Sequence, residues 1–379
     1  MNLWRLLGVS IFLLGTVCFI GTTNYAGGQD KDKKPDDKKV VDKKTDDKKT
    51  DDKKPEVKKT DDKKPEPKAD EKKKDEPKKE EPKVEPKTGG DTLPFKAFDP
   101  KGKPFYQEQT TTTKQKIKVQ GQEVTQDQTQ TFIVQWTPKE MSGTDYVVAQ
   151  KIVGVKMSID IGGNKITYDS TAKNPKNPMT DFFEQLMKQE LIFTISPDLK
   201  VKKIDGRTAF IKALADINPQ MKGLLDAILS DDALIKMAEP TWWAYPKGGV
   251  VSPGLTWKEN SKLDLGPIGT YDTNFDFTYK GKEKELDKID IKTKLSYSAP
   301  TKKEGLPFII QSATLTSDNG TGEALYDRAK GRFQKTKLEM KLKGDLKIEV
   351  GNMTTNVELN QSQDATTITH DENPWADKK

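Results

Sequence analysis

Between residues 337 and 350 apolar and charged side chains alternate, with Gly344 the one gap in the apolar parity. Leu338, Met340, Leu342, Leu346, Ile348 and Val350 share one parity; Lys337, Glu339, Lys341, Lys343, Asp345, Lys347 and Glu349 share the other. Successive side chains of a strand point to opposite faces, so this pattern predicts an antiparallel strand with one face buried and one in water. At about 3.4 Å per residue such a strand runs to roughly 50 Å. Gly351-Asn352 turns the chain, and Met353, Thr355, Val357 and Leu359 continue the same face.

The alternation recurs. Val153, Val155, Met157, Ile159 and Ile161 form one face, turned by Gly162-Gly163 into Ile166 and Tyr168. Tyr271, Phe275, Phe277 and Tyr279 form another; Ile289, Ile291, Leu295 and Tyr297 form a third. Ile117 and Val119 reach a Gln120-Gly121 turn and return through Val124, a register that sets Lys118 opposite Glu123 and Lys114 opposite Asp127. Past Val124 and Leu359 the same rows carry Gln126, Gln128, Gln130, Gln361 and Gln363. Glutamines there either line a wet cavity or mark where the sheet runs out of core.

Between the strand groups the period changes to 3.6. Asp181 to Glu184 has a capping-box outline and predicts a short helix through Leu186. A hairpin, 191–195 with 201–204, precedes helices near 208–216, 219–229 and 231–238. Asn218 caps the second of these, with Pro219 at its first position. Strands, helices, strands in that order predict an α+β fold: a long curved antiparallel sheet, half-barrel or sandwich-like, with a helical insert at 178–239 in one β-rich domain, 92–375.

The first ninety residues are different. Met1 to Arg5 is a short basic start, and Leu6 to Thr22 an almost uncharged apolar run. This reads as a secretory signal, 1–28, cleaved after Ala26-Gly27-Gly28; the alternative is an uncleaved anchor formed by 6–22. Cys18, in that run, is read as an ordinary apolar residue. Residues 30–90 hold 23 Lys and 20 Asp or Glu and no aromatic, with Asp-Asp-Lys-Lys at 36–39, 46–49, 51–54 and 61–64. Without apolar surface to bury, 29–91 is expected to be a disordered linker. It predicts an exported protein, in the periplasm, envelope or medium, near a membrane or cell wall.

Composition narrows the chemistry. Residues 91–379 carry 41 basic and 39 acidic groups, a balance unlike the one-sided basic face of a nucleic-acid binder. One Cys and one His in the whole chain leave no zinc or haem pattern, and Ser-His-Asp chemistry lacks a base. No cofactor or metal is expected. Asp318 to Glu323 has oxygen ligands and glycines, but a plain Asn-Gly turn between strands explains it better. Trp242, Trp243 and Trp257 form the densest aromatic cluster. They are the candidate ligand-binding residues, as an aromatic platform; the alternative is that they plug the helix–sheet junction.

Several motifs carry a resemblance: Gly-Gly-Asn-x-Ile-x-Tyr-Asp-Ser at 162–170, Asn-Pro-Gln-Met-x-x-Leu-Leu at 218–225, and Leu-Gly-Pro-Ile-Gly-Thr-Tyr at 265–271. Pro246 followed by Val251, Gly254 and Trp257 completes the set. Over about 95–375 the chain resembles a family of secreted bacterial proteins of unknown function. The resemblance implies export and a single β-rich domain, and carries over no activity. The expectation is a non-catalytic envelope module, structural or interacting, whose partner is unknown. The alternatives are a carrier or receptor for an apolar ligand in a sheet–helix groove, and a carboxylate-based hydrolase.

Overall fold

A computed structural model describes residues 90–301, 306, 308–351 and 353–376 of the chain. The expected signal, 1–28, and all but the end of the expected linker, 29–91, lie outside the described residues. Alternating burial along each strand builds the fold. Strands β1 (Asp91–Thr92), β2 (Phe105–Val119), β3 (Gln122–Pro138), β4 (Tyr146–Ile161) and β5 (Asn164–Asp169) come first. Helix α1 (Pro178–Lys188), β6 (Glu190–Ile195), β7 (Val201–Asp205) and helices α2 (Arg207–Ala215), α3 (Lys222–Ile228) and α4 (Asp231–Ala238) follow. The chain returns through β8 (Val250–Val251), β9 (Thr256–Asp264), β10 (Thr270–Glu283), β11 (Leu286–Ser298), β12 (Ile309–Ala313), β13 (Thr316–Asp327), β14 (Arg332–Val350) and β15 (Met353–His370).

The strands form one large antiparallel sheet in the order β7-β6-β4-β3-β2-β15-β14-β13-β11-β10-β9, with β5 added to β4 and β12 to β14. β1 and β8 pair separately. The sheet is open and curved, one curled layer rather than two stacked ones. Its end strands come close: Lys200, at the start of β7, lies 3.4 Å from Glu259 of β9. Helix α4 packs on both β7 and β9, closing the seam with side chains where no ladder runs.

Register follows the charge and apolar patterns. Lys118 opposes Glu123 and Lys114 opposes Asp127 across the β2–β3 hairpin. Gln120 and Gly121 both have positive φ, as a two-residue type I′ turn requires. The segments after Val124 and Val357 flank β2 on its two sides: Gln126 and Gln361 both oppose Gln115, and Gln128 and Gln363 both oppose Thr113.

Three expectations need correction. The first helix starts at Pro178, where Asn177 accepts a hydrogen bond from the Thr180 amide; proline at N1 with this cap outcompetes a start at Asp181. Asn218 caps a 3-10 turn, 219–221, ahead of α3. Asp318 to Glu323 is no turn but the middle of β13. Its glycines serve close packing: a Cβ on Gly320 would run into Thr293 Oγ1, and one on Gly322 into the Lys337 carbonyl.

Candidate functional site

The three tryptophans occupy the seam. Trp242 and Trp243 are buried, and Trp257 packs half-buried against the core. The Trp242 indole donates to the Leu199 carbonyl at 2.6 Å, and its ring meets Phe98 and Trp136 edge-on. Trp257 donates to the Trp243 carbonyl at 3.1 Å and stacks on Phe277. Trp243 meets Phe275 edge-on, with Lys200 Nζ over its ring. The rings join insert to sheet and present no open platform. The Trp243 indole N–H has no partner among the described residues.

Behind this plug the inner face divides. Over β10, β11 and β14 it is mostly apolar, with Tyr271, Phe275, Phe277, Ile289, Leu295 and Leu338 buried. Over β2, β3 and β15 it is amide and hydroxyl: Gln115, Gln126 and Gln361 lie side by side in one row, and Gln128, Thr113 and Gln363 in the next. All six are buried. The rows continue round the sheet, through Leu342 beside Gln361 and Met340 beside Gln363. On the far side Ser261, Thr273, Leu295 and Ser317 are successive partners in one row, and Phe275, Thr293 and Gly320 in the other.

Gln115 Nε2 and Oε1, Gln128 Oε1, Ser261 Oγ, Thr293 Oγ1 and Ser317 Oγ are buried without a hydrogen-bond partner among the described residues. A buried donor or acceptor left unpaired costs about 1–3 kcal/mol. Six together approach the whole net stability of a domain, about 5–15 kcal/mol. Phe275 also lines a cavity of about 40 Å³ with Gln107, Thr367, Thr369, Phe277 and Ile291; none of the residues bearing the unpaired atoms lines it. The cavity holds about three waters at roughly 10–15 Å³ each.

The densest ionic cluster lies elsewhere. Arg328 holds the fully buried Asp287 with Nε at 2.6 Å and Nη2 at 2.7 Å, and reaches Asp91 of β1 at 3.1 Å. Tyr279 donates to Asp287 at 2.5 Å. Burial alone would raise the Asp287 carboxyl, but the hydrogen bonds from Arg328 and Tyr279 and the Arg328 charge hold it below its ordinary value. Burial first, then the bond to Asp287 and its charge, push Tyr279 up to about 12 despite Arg328. This arrangement stores a fixed negative charge, not a transferable proton. Every other carboxyl with a resolved shift is likewise lowered: Asp169, Asp198, Glu283, Glu339 and Asp371. A general acid needs the opposite direction. His370 meets Glu108 at 3.2 Å near the end of β15. No group of His, Cys, Asp or Glu among the described residues could hold a metal ion.

The glutamine rows were visible in the sequence, as an unresolved choice. The cluster of Tyr279, Asp287 and Arg328 was not: Arg328 lies 41 residues beyond Asp287, and nothing local announces the pairing.

Residues 143–331 match the model of a family described as a family of unknown function (DUF6263), and through them the chain belongs to that family. No curated protein matches the chain. Among solved structures it is similar to lipovitellin, at 10% identity and a TM-score of 0.39. That match covers 73% of this chain and 26% of the other, so the chain spans about a quarter of it. It is similar also to OccK5 (OpdH) of Pseudomonas aeruginosa, at 8% identity, 70% and 98% coverage and a TM-score of 0.21. The translocator domain of the autotransporter NalP from Neisseria meningitidis matches at 7% identity, 72% and 90% coverage and a TM-score of 0.19. At these scores the likenesses say nothing of what this chain binds. Among the described residues no helix is long and apolar enough to cross a membrane.

Proposed function

We propose that the protein is an exported, non-catalytic envelope module: a signal at 1–28, a charged linker at 29–91 and a β-rich domain, 92–375, that acts as a structural or interaction element. The observation that carries this reading is the closed interior. A site for a drug-sized or larger apolar ligand occupies about 300–1,000 Å³, and the cavity behind the tryptophans measures about 40 Å³. Gln115 and Gln361 are 2% and 3% exposed, and an empty groove along them would leave them open to solvent. The tryptophans act here as a plug. The lowered carboxyls support a domain without acid–base catalysis, and the near balance of 41 basic and 39 acidic groups over 91–379 argues against a nucleic-acid partner.

The test is to purify the full chain, extract it with organic solvent and weigh the extract by mass spectrometry against protein. The expected result is no lipid at stoichiometric amount. One lipid per chain would overturn the reading in favour of a carrier.

A further inference from the structure

β9 is nine residues long and stands at one end of the sheet. In an antiparallel pair alternate residues bond to the neighbour and the others face away. Leu265 donates to the Gly269 carbonyl and Tyr279 to that of Leu255, so the odd-numbered residues of β9 bond to β10. The backbone groups of Thr256, Lys258, Asn260, Lys262 and Asp264 therefore face the seam. All five residues are exposed, and no described strand pairs with this edge. Such an edge is a ready template for another strand. β7 does not cover it: the Cα traces of β7 and β9 stay more than 8 Å apart along most of the seam. Paired strands lie about 4.8 Å apart, and strands with one between them about 9.6 Å. Side chains bridge the gap instead, with Lys200 and Lys247 converging on Glu259 at 3.4 and 3.9 Å.

Charge decides what fits. The side chains of the five open positions share the outer face. There Lys258 has a surface contact with Asp276 at 3.5 Å, and Lys262 has no ion pair among the described residues. Asp272 of β10 already accepts from Asn260. With Lys200 and Lys247, four lysines border the seam. We propose that this edge is where the interaction element proposed above takes its partner: an extended acidic segment, added as a strand between β9 and β7. Its carboxylates lie opposite Lys258 and Lys262, and apolar side chains on its other parity lie opposite Trp257 and Leu263. The open backbone positions supply affinity, and the two lysines choose the partner. The added strand joins the rim of the sheet, so the interior stays closed.

The experiment titrates the full chain with a labelled peptide, Lys-Val-Glu-Thr-Asn-Thr-Glu-Val-Thr, which set antiparallel puts a Glu opposite each lysine. Anisotropy should show saturable binding, and hydrogen exchange should show new protection at Thr256, Lys258, Asn260 and Lys262. The same peptide with both Glu replaced by Lys should not bind. In the variant Lys258→Glu, Lys262→Glu the acidic peptide should bind about tenfold more weakly. Should that variant fail to fold, Asn260→Pro, which deletes the central edge amide, is expected to abolish binding. No saturable binding, equal binding of both peptides, or protection only outside 256–264 overturns the proposal. So does self-association of the full chain that the peptide competes away, since the occupant would then be a second copy. A stoichiometric lipid in the solvent extract would sink the closed module and leave this result standing. A peptide that fails to bind removes this edge as the site and leaves the interior closed.

Discussion

The two halves of the sheet obey one alternation rule and use it to different ends. On β10, β11 and β13 the inward parity carries aromatics, and a buried Arg328–Asp287–Tyr279 brace ties that half to β1. On β2, β3 and β15 the inward parity carries glutamine and threonine with no charge at all, equally buried. Alternation decides which face a residue joins; it does not decide whether that face is oil, ion pair or amide. Both halves keep unpaired polar atoms inside, on Ser261, Thr293 and Ser317 in the first and on Gln115 and Gln128 in the second; they differ in that only the first adds an ion pair to its aromatics.

Removing the brace should break this contrast most severely. Arg328→Met leaves the Asp287 carboxylate buried without its partner, an expected loss of about 3–5 kcal/mol in urea unfolding. The pH dependence follows from the two shifts. Asp287 is held below its ordinary value, so its contribution is present above about pH 4 and is lost as the pH falls through the lowered folded value. Tyr279 is raised to about 12, so its contribution is complete below about pH 10 and is lost as the pH climbs towards 12. Arg328→Met should flatten both limbs of the stability–pH curve. A variant as stable as the wild type would mean the brace contributes nothing, and the halves differ less than described.

A smaller effect is expected at their boundary. Gly322→Ala pushes a methyl into the Lys337 carbonyl, prising β13 from β14, at about 1–3 kcal/mol. Hydrogen exchange should show faster amides along those two strands and unchanged ones in β2 and β3. Loosening of β2 and β3 as well would show that the halves open as one unit.

Much of this fold was legible because the buried parity is apolar in β4, β10, β11 and β14, and because turns such as Gln120-Gly121 fix register. β9 escaped notice since its inward residues, Trp257, Glu259, Ser261 and Leu263, do not read as a core face. β13 escaped because glycines needed for close packing look like a turn. The depth of burial of the glutamines was beyond the sequence: it depends on the sheet curling until β7 and β9 meet across α4, a contact between residues about sixty apart. The tryptophans were recognisable as a cluster, yet their burial depends on that same closure.

The claim that the interior is closed to apolar ligands is tested most directly by titrating the full chain with an apolar, environment-sensitive dye at neutral pH. A closed, amide-lined interior predicts no saturable fluorescence increase at one dye per chain. A saturable, stoichiometric increase that an added fatty acid displaces would contradict it.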